Sequence, residues 1–115
     1  MKVQELLTLL DAKLLTQTPN LDAEIECGYS CDLLSWVLAH GQEGMAWATV
    51  QTHVNVIAVA VLMGMACVVL TEGVEAEEAS LERANKEGLP VLSTAKTAYE
   101  VCGLMARAGV RPPKA

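Results

Sequence analysis

Phenylalanine is absent from this 115-residue chain, and aromatic residues make up only 3% of it. An interior built without phenylalanine must be aliphatic, so Leu, Val, Ala and Met have to fill it. Charge is sparse as well, at 19% of residues, and its balance is acidic, with a formal net charge of −6 at pH 7. The eight Lys and Arg form no basic patch with aromatics between them, which speaks against nucleic acid and anionic membrane as partners. Also missing are the G-x-x-x-x-G-K-[ST] loop, the G-x-G-x-x-G turn and the G-x-S-x-G elbow. The chain therefore lacks the usual phosphate cradles and the usual strained serine nucleophile. Cys27, Cys31, Cys67 and Cys102 show no paired metal spacing. Cys27 and Cys31 fall on one predicted strand, about 13 Å apart at the rise of a strand, too far to share a metal or a disulfide. Cys67 lies in a strand run and Cys102 on a helix face, and reduced thiols acting as small hydrophobes account for all four. The N-terminus MKVQELLTLLDAKLL carries acidic residues within its apolar stretch and no small-residue cleavage pattern, so it does not read as a signal peptide. A cytoplasmic location is expected.

What the chain does have is apolar sequence, 52% of residues, at its densest in Met45–Leu70. One domain is expected, with more apolar surface than a single small core can hide, and hence self-association as a homodimer. The Met45–Leu70 stretch breaks only at the polar island Gln51-Thr52-His53, with Asn55 just beyond. Val54–Leu70 approaches the length of a membrane span. Against a span, Gly64 splits the run, many of its side chains are alanine, no Lys or Arg flanks it, and Glu72 follows. Buried strand, loop, buried helix and buried strand explain the same residues, because parallel strands covered on both faces read as unbroken apolar runs. Thr52 is the expected N-cap of a helix His53–Met63, with Gly64 at its exit. A helix that is apolar all round has to be covered on all sides, which adds to the expectation of a dimer.

The remaining elements follow from the same signals. Val3, Leu6, Leu7 and Leu10 mark an amphipathic first helix. A short strand Lys13–Thr16, a turn region Gln17–Asp22 and a second strand Glu26–Cys31 come next. Asp32 can cap a helix Leu33–His40, with Leu33, Leu34, Val37 and Leu38 inward, Gly41 closing it and His40 at its negative end. Trp36 and Trp47 read as core anchors or interface residues. After the turn Thr71-Glu72-Gly73, a polar helix Glu75–Glu87 holds Glu75, Glu77 and Glu78 in its first turn, a solvated face rather than a metal cluster. It also carries a Glu82–Lys86 pair. Leu89–Leu92 is the last strand, and Thr97-x-x-Glu100 is a capping box for a final helix ending near Ala108. The tail 111–115 is expected to be disordered, leaving one domain over 1–110. Alternating helices and short apolar strands give an α/β domain with a largely parallel sheet of about five strands.

These residues resemble a known family. Gly28-Tyr29-Ser30-Cys31-Asp32-Leu33-Leu34-Ser35, Gln51-Thr52-His53-Val54-Asn55 with its apolar helix, and Pro90-Val91-Leu92-Ser93-Thr94 are similar to the DRTGG domain, over Val3 to Val110. The stretch set against the family's glycine-containing motif is Asp22-Ala23-Glu24-Ile25-Glu26-Cys27-Gly28, a partial match. Similar domains stand alone in bacteria and archaea, or occur inside phosphate acetyltransferases and between the CBS domains of some inorganic pyrophosphatases. The resemblance implies a three-layer α/β fold like the amino-terminal domains of HPr kinase and the Mur ligases, in a regulatory setting. It implies no reaction, and without a phosphate-binding loop no kinase activity.

In open α/β sheets ligands bind beyond the carboxyl ends of the strands. There this chain places Ser30, Asp32, Gln51, Thr52, His53, Asn55, Thr71, Ser93 and Thr94, the candidate ligand-binding set. Helix N-termini at Thr52 and Thr97 would favour an anionic or nucleotide-like ligand. His53 has no nucleophile or orienting partner defined by sequence, and a Ser30–His53–Asp32 arrangement lacks any supporting motif, so no catalytic residue, metal or cofactor is assigned. The expected function is a non-catalytic regulatory module acting through a partner such as an enzyme. The alternative is a structural dimerisation module with no ligand.

Overall fold

The computed structural model describes residues 1–17 and 19–115. Its elements are α1 (Val3–Leu9), β1 (Lys13–Leu14), β2 (Cys27–Ser30), α2 (Leu34–His40), β3 (Met45–Thr49), α3 (Val54–Leu62), β4 (Cys67–Leu70), α4 (Glu78–Glu87), β5 (Val91–Ser93) and α5 (Ala98–Arg107). The five strands form one sheet in the order β1-β5-β4-β3-β2. β2 to β5 run parallel, and β1 joins β5 antiparallel with Lys13 opposite Ser93. The fold is the three-layer α/β arrangement expected. The turn region 17–22 includes Thr18, which lies outside the described residues.

Each parallel strand neighbours the next in sequence, so the three crossover helices must lie on one face. Val37 of α2, Val56, Ile57 and Ala60 of α3 and Ala84 of α4 accordingly pack with Met45, Trp47, Val68 and Leu70. The other face receives Val3 and Leu6 of α1 with Val101 and Met105 of α5, against Ala46, Ala48, Cys67, Val69 and Leu92. Alternation along the pleat explains the split: Met45 and Trp47 point one way, Ala46 and Ala48 the other. The alanines let α1 and α5 approach where no phenylalanine is available as filler.

Several local expectations are corrected. α3 begins one residue later, with His53 rather than Thr52 as its N-cap: the ring Nδ1 accepts from Asn55 N at 3.1 Å. α2 is capped at Leu33, not Asp32, and of its leucines Leu33 and Leu38 face water. It lies towards the edge of the sheet, where one helix flank has nothing to pack on. Trp36 is half-exposed, donating to the Tyr29 hydroxyl at 2.9 Å and stacking on His40 at 4.2 Å. Gly41 ends α2 with φ −60°, so it is not a left-handed cap. Crowding is the reason for glycine there: a Cβ would lie 2.8 Å from Met65 Cε and 2.9 Å from the Val37 carbonyl. α4 opens at Glu78, and its ion pair is Arg83–Glu87 at 3.7 Å in place of the expected Glu82–Lys86. The tail 111–115 is laid against the domain. Gly28 N donates to Arg111 O at 2.8 Å, and the Gln42 amide pairs with both backbone groups of Lys114 at 2.7 and 3.0 Å. That side-chain amide imitates a strand partner beside the outer edge of β2.

Candidate functional site

Asp32 organises the carboxyl edge of the sheet, though not as a helix cap. Its Oδ1 accepts from Thr49 Oγ1 at 2.7 Å and from Val50 N at 2.9 Å, and its carbonyl accepts from Gln51 Nε2 at 3.0 Å. Gln51 N in turn donates to Thr49 Oγ1 at 3.1 Å. The buried Thr49 hydroxyl and the Val50 N–H both donate to this carboxylate, and charge-assisted bonds to them outweigh a local cap on α2. The loops after β2 and β3 are thereby tied together.

The next cluster joins the β3–α3 loop to α4. Ser80 Oγ donates to the Thr52 carbonyl at 2.6 Å, and Thr52 Oγ1 lies 3.4 Å from Glu77 Oε2. Thr52 cannot cap α3 while its own groups serve this contact, so the role falls to His53. An Nδ1 that accepts a hydrogen bond carries no proton, which leaves Nε2 as the proton-bearing nitrogen of the exposed ring. Gln51 and Asn55 are exposed beside it.

The other predicted residues separate by the pleat. Ser30 is exposed on the α5 side, where its hydroxyl bonds the Cys102 thiol and partly opposes the burial that raises it. Thr71 and Thr94 are buried. Gly73 N donates to Thr94 O at 3.0 Å and Glu72 N to Lys96 O at 2.9 Å, bridging the loops after β4 and β5. The Thr71 hydroxyl is buried without a hydrogen-bond partner among the described residues, next to Glu72, which adopts the left-handed φ of 63°. Ser93 is half-buried opposite Lys13. The nine residues thus form three groups along one edge, not one pocket. Only Ser30, Asp32, Gln51, His53 and Asn55 offer exposed side chains.

Electrostatics also divides the two helix N-termini. At α5 the capping box is complete: Glu100 N donates to Thr97 Oγ1 at 3.1 Å and Thr97 N to Glu100 Oε1 at 3.0 Å. Those bonds, led by the Thr97 N–H, hold the Glu100 carboxyl below its usual range. The chain thus supplies its own anion at α5. At α3 the cap is an imidazole, and no carboxylate lies in the first turn.

Space is distributed differently from the polar residues. The crevice under Gln51, Thr52 and His53 has room for about 10 Å³. A groove of about 1200 Å³ opens at the opposite, amino edge of the strands, between Ile25, Glu26, Glu43, Met65, Val110 and Lys114. Sequence reading missed it. Its signal was the pair Gly44 and Gly64, at φ +75° and +68°: the Glu26 side chain lies over the first and Glu43 over the second. The stretch set against the family's glycine motif supplies Ala23 to Cys27 of its wall. Glu24, Glu26 and Glu43 face the Met1 ammonium, Arg111 and Lys114 across this edge, and the C-terminal ends of α2 and α3 add negative potential to it.

Residues 47–108 match the model of the DRTGG domain. The chain belongs to the DRTGG domain family. The matched segment runs from β3 through α5 and contains Gln51 to Thr94 of the candidate set, while Ser30, Asp32 and the groove wall at 23–27 lie before it. Among solved structures, this DRTGG domain is similar to the CBS and DRTGG domains of the regulatory region of Clostridium perfringens pyrophosphatase, complexed with the activator diadenosine tetraphosphate. The TM-score is 0.71 at 13% identity, a likeness of fold. The match covers 93% of this chain and 46% of that one, so the chain spans under half of that structure. No curated protein matches it significantly. Among the described residues, no helix is long and apolar enough to cross a membrane.

Proposed function

We propose that this DRTGG domain is a non-catalytic regulatory module of the cytoplasm that binds a small anionic, nucleotide-like ligand at the carboxyl edge of its sheet and acts through a partner protein. The observation that carries the reading is the α3 N-terminus. It is capped by the His53 ring, has no carboxylate in its own first turn, and is flanked by exposed Gln51 and Asn55, with Glu77 held at Thr52 on its α4 side. Amide groups and the positive end of the helix dipole attract phosphate there. The ligand lies across the rim on His53, Asn55 and Gln51, because the crevice beneath is too small to take it. The polar groups that resemble catalytic ones are already engaged: His53 Nδ1 holds the cap and the Asp32 carboxylate holds Thr49 and Val50. A nucleotide activator bound to a regulatory region that includes this fold supports the same ligand class.

The test is thermal denaturation of wild type, His53→Ala, Asn55→Ala and Lys114→Ala with ATP, diadenosine tetraphosphate or inorganic phosphate. A ligand at 100 times its Kd stabilises by about 2.7 kcal/mol, a rise in Tm of roughly 10 °C for a domain of this size. The expected result is a rise in wild type and Lys114→Ala that is lost in His53→Ala and Asn55→Ala. A rise lost only in Lys114→Ala would move the site to the amino-edge groove. No rise in wild type would leave the second reading, an interaction module with no ligand, which the exposed apolar side chains of α2 favour.

A further inference from the structure

One surface of this acidic chain carries no charge. α2 and α3 contain no Asp, Glu, Lys or Arg, and they lie side by side on the same face of the sheet. Their buried residues, Val37, Val56, Ile57 and Ala60, are four of their thirteen apolar side chains. Turned to water are Leu33 at 60% exposure, Trp36 at 51%, Leu38 at 48% and Leu62 at 73%. Beyond α3 the character changes at once, since α4 carries Glu78, Glu82, Arg83, Lys86 and Glu87. An aromatic and three leucines in a neutral centre, with charge at the margin, is the composition of a protein–protein interface.

We propose that the outer face of α2 and α3 is the contact surface of a two-fold symmetric dimer of this chain. The argument for a second copy comes from charge. Two copies at net −6 repel wherever their acidic surfaces meet, and this face is where they can approach without that cost. A charged partner would find nothing here to pair with, whereas a second neutral apolar face is the complement required. The area agrees. The four side chains leave on the order of 400 Å² of apolar surface in water, the size at which a patch on a monomer is often functional. The neutral Ser35, Ala39 and Ala58 around them extend the face without adding charge. A two-fold axis lets one patch serve both copies. The surface does not depend on the ligand reading: His53 and Asn55 lie at the end of α3 away from Leu62.

Sedimentation velocity from 1 to 100 μM tests the proposal on wild type, Leu38→Glu, Leu62→Glu and Tyr99→Glu. Tyr99 is the control, 88% exposed but on α5, across the sheet. Wild type and Tyr99→Glu are expected to dimerise alike, with the dissociation midpoint of Leu38→Glu and Leu62→Glu raised at least tenfold and their circular dichroism unchanged. A wild-type monomer throughout, dimers that survive both leucine variants, or dissociation in Tyr99→Glu alone would overturn it. A second reading needs no variant. Trp47 is fully buried, so acrylamide quenches chiefly Trp36, and the quenching should fall as concentration rises through the midpoint. Quenching that is flat while the chain dimerises would place the interface elsewhere.

Discussion

Trp47→Ala is expected to lower unfolding free energy by about 3–5 kcal/mol, the range for removing a buried tryptophan, and so to leave only about 0–2 kcal/mol if stability is near the low end of the usual 5–15 kcal/mol. Trp47 is fully buried at the centre of β3, between two parallel neighbours and beneath α2 and α3, in a core with no phenylalanine to collapse into the space. It also has a polar duty. The indole Nε1 donates to the Cys31 carbonyl at 2.8 Å, fixing the chain where it leaves β2 and just before Asp32 turns to Thr49. Trp47→Phe separates the two contributions: most of the volume stays while the N–H is lost, at an expected cost of about 1–2 kcal/mol. Urea unfolding of the three proteins gives both numbers. A Trp47→Ala midpoint close to wild type would mean that the core is not organised around this ring.

The second large effect lies at alkaline pH. Burial pushes the Cys67 thiol up to about 12 from an ordinary value of 9. Above pH 9 the unfolded chain releases this proton while the native chain keeps it. The native state then binds more protons, and stability falls as pH rises from 9 towards 12. The slope from this one group is about 1.4 kcal/mol per pH unit. Lysines and tyrosines titrate in the same window, so the readout is the difference between wild type and Cys67→Ala at pH 8 and pH 10.5. Cys67→Ala, less stable at pH 8 through the small cavity it leaves, is expected to lose less stability over that interval. Parallel losses in the two proteins would show that the thiol ionises as readily folded as unfolded.

The apolar runs of β3, α3 and β4 made the order of elements legible, because a strand covered on both faces leaves its mark on every residue. The capping box at Thr97 and Glu100 was legible because it is local. What failed was choosing between local and distant partners. Thr52 and Asp32 are sound N-caps by type, yet one is engaged by Ser80 from α4 and the other by Thr49 from β3. Leu33 and Leu38 have the spacing of inward residues, but nothing in that spacing reveals that α2 lies towards a sheet edge. Strand order was enough to place the nine candidate residues along the carboxyl edge of the sheet, while their division into three groups depends on the pleat register of four strands. The amino-edge groove arises from backbone turns at Gly44 and Gly64, and sequence reading marked only the second, as a helix exit.

The antiparallel pairing of β1 with β5 has a consequence in time. β2 to β5 can assemble in the order in which they leave the ribosome, each on its predecessor. Lys13 and Leu14, made early, have no strand to join until Leu92 and Ser93 emerge, a delay of roughly 4 to 16 s at ordinary synthesis rates. A seven-residue helix such as α1 cannot hold itself together in the interval. Val3, Leu6 and Leu10, which end with no exposure at all, therefore wait as an unfolded apolar segment until β3 and β4 emerge to cover them, the kind of surface that holding chaperones bind.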